Sequence, residues 1–140
     1  MPIDFVDIQE KIAQSIVSEM STEVDWDQIE ADYSSAGRFT ESTCRYVASD
    51  SRKSFFFPDD AARLAADLRD AMSGPHGTWF SFRLTIQSNG SFSFDFNYDD
   101  EPPWRTRPSD ETLILDLEQH PRPPEEIPPW HPARADNGSS

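Results

Sequence analysis

Residues 80–100 read "FSFRLTIQSNGSFSFDFNYDD", and their strict two-residue period limits the fold more than any other stretch. Phe80, Phe82, Leu84 and Ile86 alternate with Ser81, Arg83, Thr85 and Gln87; Phe92, Phe94, Phe96 and Tyr98 then alternate with Ser93, Asp95 and Asn97. Two alternating runs around Ser-Asn-Gly predict a β-hairpin with one apolar and one wet face. A two-residue Asn89-Gly90 turn would put the two aromatic rows on opposite faces, because one step of register inverts a strand. A three-residue loop, Ser88-Asn89-Gly90 with Gly90 left-handed, keeps the rows together. It pairs Ile86 with Phe92, Leu84 with Phe94, Phe82 with Phe96 and Phe80 with Tyr98. It also sets Arg83 opposite Asp95, a favourable cross-strand charge pair, so the three-residue loop is the expected one.

The rest of the chain supplies partners for that hairpin. Phe5, Ile8, Ile12, Ile16 and Met20 form one stripe of a helix over residues 3–20. Residues 24–34 alternate, with Ile29, Ala31 and Tyr33 against Gln28, Glu30 and Asp32, and read as a strand. Strands are also expected at 42–48 and 54–57, joined by turns at Ala36-Gly37 and at 49–53. Residues 59–72 read as a helix that buries Ala61, Leu64, Ala65, Leu68 and Met72, with Asp59 and Asp60 favourably placed in its first turn. A last helix over 109–119 is expected to bury Leu113, Ile114 and Leu117. The predicted fold is a single α+β domain over residues 1–119 in α-β-β-β-α-β-β-α order. Its sheet is largely antiparallel, with the helices packed on one face.

Residues 120–140 are expected to be a Pro-rich extended or disordered tail. Six of the twelve residues from Pro121 to Pro132 are proline, and every Leu, Ile, Val and Phe except Ile127 lies within residues 1–117. Such a segment is extended rather than helical, and "ARADNGSS" beyond it reads as disordered. Trp130 either docks on the body or is exposed.

Twenty-six acids against twelve bases give a net charge of -14. That charge disfavours nucleic acid and anionic membranes, which require Lys and Arg, and favours a basic protein partner. Solubility alone is the bland alternative. Cys44 is the only cysteine, so no internal disulfide is possible. No apolar run approaches the roughly 18 residues that cross a bilayer, and the acidic N-terminal stretch lacks the basic start of a signal peptide. A cytoplasmic protein is expected.

Catalytic signals are weak. His76, His120 and His131 have no ligand spacing, and there is no nucleophile elbow or phosphate-cradling glycine loop. No cofactor is expected. Asp99, Asp100 and Glu101 could hold a divalent cation through oxygen, which leaves a metal enzyme as a third-ranked alternative. The expected reading is a non-enzymatic binding protein with two acidic zones. One is Asp25, Asp27, Glu30 and Asp32; the other is Asp95, Asp99, Asp100 and Glu101, with Tyr98 or Trp104 adding apolar contact. Against contact stands a local role: Tyr98 and Trp104 as core, and the aspartates as turn or cap residues.

The run "GTWFSFRLTIQSNGSFSFDFNYDDE", with "WDQIEADYS" before it and "PSDETLILDLEQ" after it, resembles the YezG-like immunity proteins. These include bacterial antitoxins that neutralise secreted toxins of the LXG and type VII kind. The resemblance covers roughly residues 3–119. It rests on Trp79, the alternating strand, Gly90 before Phe92, and the Tyr98-Asp99-Asp100 ending. It departs at Leu113 and Ile114, where the family often has an aromatic, and in the Pro-rich tail. It implies an antitoxin that binds a cognate toxin domain and blocks its active site. A nuclease site is basic, and carboxylates can occupy it in place of phosphate. An adaptor or chaperone for a basic secreted partner is the alternative.

Overall fold

The structure is a computed structural model, and it describes residues 5–19, 25–49 and 51–134. Met20 and Val24 lie outside the described residues. Strands β1 (Gln28–Ala36), β2 (Phe39–Ala48), β3 (Ser51–Phe55), β4 (Ser81–Gln87) and β5 (Phe92–Asn97) form one antiparallel sheet in the order β3-β2-β1-β4-β5. Helices α1 (Phe5–Ser18) and α2 (Asp59–Ala71) pack against one face, and α3 (Asp110–Gln119) stands beside the β1–β2 turn. This is the α+β order and the antiparallel sheet that the sequence predicts.

The core follows from the alternation. Ile29, Ala31 and Tyr33 of β1 and Phe82, Leu84 and Ile86 of β4 turn inward and meet Ile12 and Ile16 of α1 and Ala61, Ala65 and Leu68 of α2. Burying each Ile or Leu contributes about 1.5–3 kcal/mol, which offsets much of the cost of ordering the chain around it. Trp79 is fully buried against Tyr33, Phe82 and Phe96.

The hairpin has the three-residue loop. The Gln87 N–H donates to the Ser91 carbonyl at 2.8 Å, and Gly90 sits at φ 95°. Ile86 pairs with Phe92, Leu84 with Phe94, Phe82 with Phe96 and Arg83 with Asp95. The ladder ends one pair early, however, at Ser81–Asn97, and the Phe80 N–H donates to the Asn97 carbonyl. The expected Phe80–Tyr98 pair does not form. Asn97 causes this by gripping Asp100 and turning the chain out of the sheet.

Two other expectations are corrected. Strand β3 covers Ser51–Phe55 rather than 54–57. Ser49 adopts φ 44° in a turn held by the Asp27 carboxylate, so pairing resumes at once. Phe56 is consequently 95 % exposed and Phe57 is buried. In α3 the buried residues are Leu113 and Asp116, while Ile114 is 40 % exposed. The reason is Asp116, which forms a two-pronged ion pair with buried Arg69 of α2 and accepts the Gly37 N–H at 2.9 Å. That bond sets the rotation of α3 about its axis. Gly37 is left-handed (φ 61°), and a Cβ there would lie 2.8 Å from the Thr112 carbonyl oxygen.

The Pro-rich segment is extended as expected, and residues 135–140 lie outside the described residues. Residues 121–134 run extended between two short 3-10 turns, Pro124–Glu126 and Pro132–Arg134, and they are docked on the body. His131 is 2 % exposed and Pro128 is buried. Proline fixes the local conformation, and the aromatic and cationic side chains between the prolines make the attachment.

Candidate functional site

The sheet face opposite α1 and α2 carries the first acidic zone. Glu30 and Asp32 lie in its centre, with β2 on one side and β4 on the other. Arg45 lies 2.7 Å from Glu30 and 3.6 Å from Asp32; Arg83 lies 2.8 Å from Asp32 and 3.8 Å from Glu30. Asp95 stands opposite Arg83 on β5. The hydrogen bond that Arg83 donates to Asp32 raises the pKa of Arg83 most, burial opposes it, and the charges of Asp32, Glu30 and Asp95 add to the rise. These carboxylates are thus matched by arginines across four strands. Asp25 is exposed. Asp27 accepts the Ser49 N–H at 3.0 Å and closes the β2–β3 turn.

The second zone is the loop from Asn97 to Trp104. The Asn97 side chain accepts the Asp100 N–H and donates to the Asp100 carbonyl and to Ser81 Oγ. The local turn is therefore built by Asn97, and the acids are displayed by it. Tyr98 is 37 % exposed, so it is not a core residue. Burial of its remaining surface raises its pKa, against the lowering charge of Arg122. Asp99 projects with its side chain 86 % exposed, 3.8 Å from Arg122. Glu101 turns back to accept from Trp104 Nε1 at 3.2 Å and from Arg107 Nε at 2.9 Å. The half-buried Trp104 meets Phe39 and Trp130 edge-on.

The three consecutive acids do not converge: Asp99 faces Arg122, Glu101 turns to Trp104 and Arg107, and Asp100 serves the turn through its backbone. Among the described residues no group of three or more His, Cys, Asp or Glu is placed to hold a metal ion. Nor is any helix among them long and apolar enough to cross a membrane.

The tail braces this loop from behind, through Trp130, which takes the docked alternative, and through Arg122 and His131. Arg122, its side chain 4 % exposed, donates to the carbonyls of Tyr98 (2.6 Å), Thr78 (3.0 Å) and Glu126 (3.2 Å). Its guanidinium lies 4.8 Å over the Phe80 ring, a cation–π contact. Trp130 Nε1 donates to the Asp99 carbonyl at 2.7 Å, and the Trp130 ring packs on Phe80. His131 Nε2 lies 3.2 Å from the Leu113 carbonyl, while Nδ1 accepts the Ala133 N–H at 3.1 Å. Those partners require the neutral tautomer with the proton on Nε2. The only sequence signals for this brace are a Trp and two Arg among the prolines.

The chain matches no family model and no curated protein. The likeness to YezG-like immunity proteins therefore stands on its residue pattern alone.

Proposed function

We propose that this chain is an immunity protein that binds a basic, nuclease-type toxin domain and blocks its active site with the acids displayed at the end of β5. The disposition of charge carries this reading. Lys11, Arg45, Arg63, Arg69, Arg83, Arg107 and Arg122 each lie within ion-pair distance of a carboxylate, so more than half of the twelve bases are matched internally. The charge presented to solvent is strongly acidic. Asp99 and Asp100 head it, on a loop fixed by Asn97, Arg122 and Trp130. A preorganised acidic loop loses little freedom on binding and attracts a cationic cleft from a distance. Tyr98, more than a third exposed beside those acids, offers an aromatic contact.

The experiment begins with the neighbouring reading frame: where it encodes a C-terminal toxin domain, that domain is purified, the protein is added, and nuclease activity and complex formation are followed together. Stoichiometric inhibition that weakens as salt rises is expected. A complex that leaves the activity intact would make the chain an adaptor or chaperone. Absence of a complex would remove the antitoxin reading.

A further inference from the structure

The two edges of the sheet are built differently. β3 is five residues long and carries Arg52 and Lys53, both exposed. A short, charged edge resists pairing with another chain. β5, "FSFDFN", has no Lys, Arg, Pro or Gly, and its one charge is Asp95. Among the described residues only β4 pairs with it. The Gln87 N–H bonds the Ser91 carbonyl, so the backbone groups of Ser91, Ser93 and Asp95 turn toward β4. Those of Phe92, Phe94 and Phe96 turn outward, available to a sixth strand.

The side chains beside that edge are also incompletely covered. Phe92, Phe94 and Phe96 are half-buried and touch in a row along the strand, Phe92 edge-on to Phe94 at 6.0 Å and Phe94 stacked on Phe96 at 5.5 Å. Next to Phe92 a groove of about 530 Å³ opens between α1 and the hairpin, lined by Ala13, Val17, Ile86 and Gly90 among others. On the opposite face the edge presents Asp95, and the Asp99-Asp100 loop follows it.

We propose that β5 receives an extended strand of a basic partner protein, paired through the backbone of Phe92, Phe94 and Phe96. The apolar side chains of the incoming strand extend the phenylalanine row toward the α1 groove, and its Lys or Arg side chains fall on the side of Asp95. Strand addition takes affinity from main-chain bonds and specificity from alternate side chains. This deepens the proposed function and rests on its basic partner. A second copy is the less suitable occupant, because two chains of net charge -14 repel each other.

The full chain, isotope-labelled for NMR, is titrated with a synthetic peptide alternating Val and Lys. Two controls are the same peptide N-methylated at alternate residues in either register, and a Val/Glu peptide. Expected are saturable shifts and slowed exchange at the amides of Phe92, Phe94 and Phe96. At least one N-methylated register and the Val/Glu peptide should lose the effect. Ser93→Lys, an exposed change on the Asp95 side, should weaken binding roughly two- to fivefold. The proposal is overturned by no binding, by an equal response to both N-methylated peptides, by equal shifts on β3, or by self-association through β5 without peptide. The outcomes separate from those of the toxin experiment: inhibition without peptide binding removes the edge mode alone, and peptide binding without inhibition removes the antitoxin reading alone.

Discussion

Glu30 and Asp32 occupy the middle of the sheet, and Asp99 and Asp100 its end; the two pairs of acids are treated in opposite ways. The first pair is enclosed by Arg45 and Arg83, with Glu30 side-chain exposure down to 14 %. The second is carried outward on a loop whose backbone is held by Asn97, Arg122 and Trp130. In the sheet, cations meet the carboxylates themselves. In the loop, most donors meet carbonyls and leave the carboxylates facing water. The acid content of a segment therefore does not measure the charge it offers to a partner; the target of the neighbouring donors decides it.

The largest way to break the contrast is to release α3, from which the brace departs. Asp116→Ala leaves Arg69 buried without its partner, and such a loss costs about 3–5 kcal/mol. Chemical denaturation should show that drop, and exchange at Tyr98–Glu101 should rise with it. The carboxylate of Asp116 is held below its usual pKa: burial opposes this, but the hydrogen bond and charge of Arg69 prevail, helped by the Gly37 N–H. Its stabilising contribution is thus present above the unfolded value near ~3.9 and is lost as pH falls through the lower folded value. A stability that stays flat on acidification through that window would contradict the pairing.

Arg122→Ala should come next. A hydrogen bond from a charged donor contributes about 1.5–3 kcal/mol, and the three bonds of Arg122 share one side chain, so a total near the upper end of that range is expected. The telling measurement is local. Hydrogen exchange should accelerate in residues 97–104 and 121–134 and remain unchanged at β1 and β2. Uniform acceleration would mean that the brace is not a separate unit.

The hairpin was readable from the chain because its information is local: alternation, one glycine, and an Arg and an Asp that fall opposite each other in one register only. The central acids were placed on the wet face for the same reason. Their arginines are not legible beside them, because Arg45 and Arg83 come from two strands that flank β1 in space and not in sequence. Arg69 and Asp116 are 47 positions apart, and on a helix wheel Asp116 looks like a solvent acid. Ile114 then appeared buried only because its neighbour's partner was invisible. In the tail, composition describes the conformation between the prolines and leaves Trp130 docked or exposed, but it carries no sign that Arg122 and His131 are anchors beside it. The groups that hold the candidate site are thus its least legible part.

A milder perturbation is acid. Burial lowers the pKa of His131, against the raising effects of the Leu113 carbonyl and Asp116; His120 is lowered too, by burial first and then by Arg69. Both rings are favoured neutral in the fold, so their contribution is present above the unfolded value near ~6.5 and fades as pH falls from there through the lower folded values. The Trp130 indole N–H resonance and exchange in residues 121–134 should report loosening of the tail across that interval, before the sheet is affected. His131→Gln, which keeps a donor and an acceptor, should reduce the pH dependence. An unaltered profile in that variant would assign the titration to another group.

The smallest effect separates the two acidic zones most directly. Each exposed or half-exposed ion pair is worth about 0.2–1 kcal/mol, so Glu30→Gln and Asp32→Asn should each cost up to about that much in stability. Each removes one negative charge, as the loop variants do, but from the middle of the sheet and away from the acids displayed at its end, so association should change less. Asp99→Asn and Asp100→Asn should do the reverse. Asp99 is 86 % exposed, and the turn uses the backbone of Asp100, so the fold loses little. Association with a basic partner should slow and its salt dependence should fall, since exposed charge acts mainly on the rate of encounter. Measuring unfolding and association for all four variants gives a two-by-two test. Equal effects of both pairs on association would mean that net charge, and not the displayed loop, sets the encounter. A loss of stability in the loop variants would mean that Asp99 and Asp100 hold the turn instead of facing a partner.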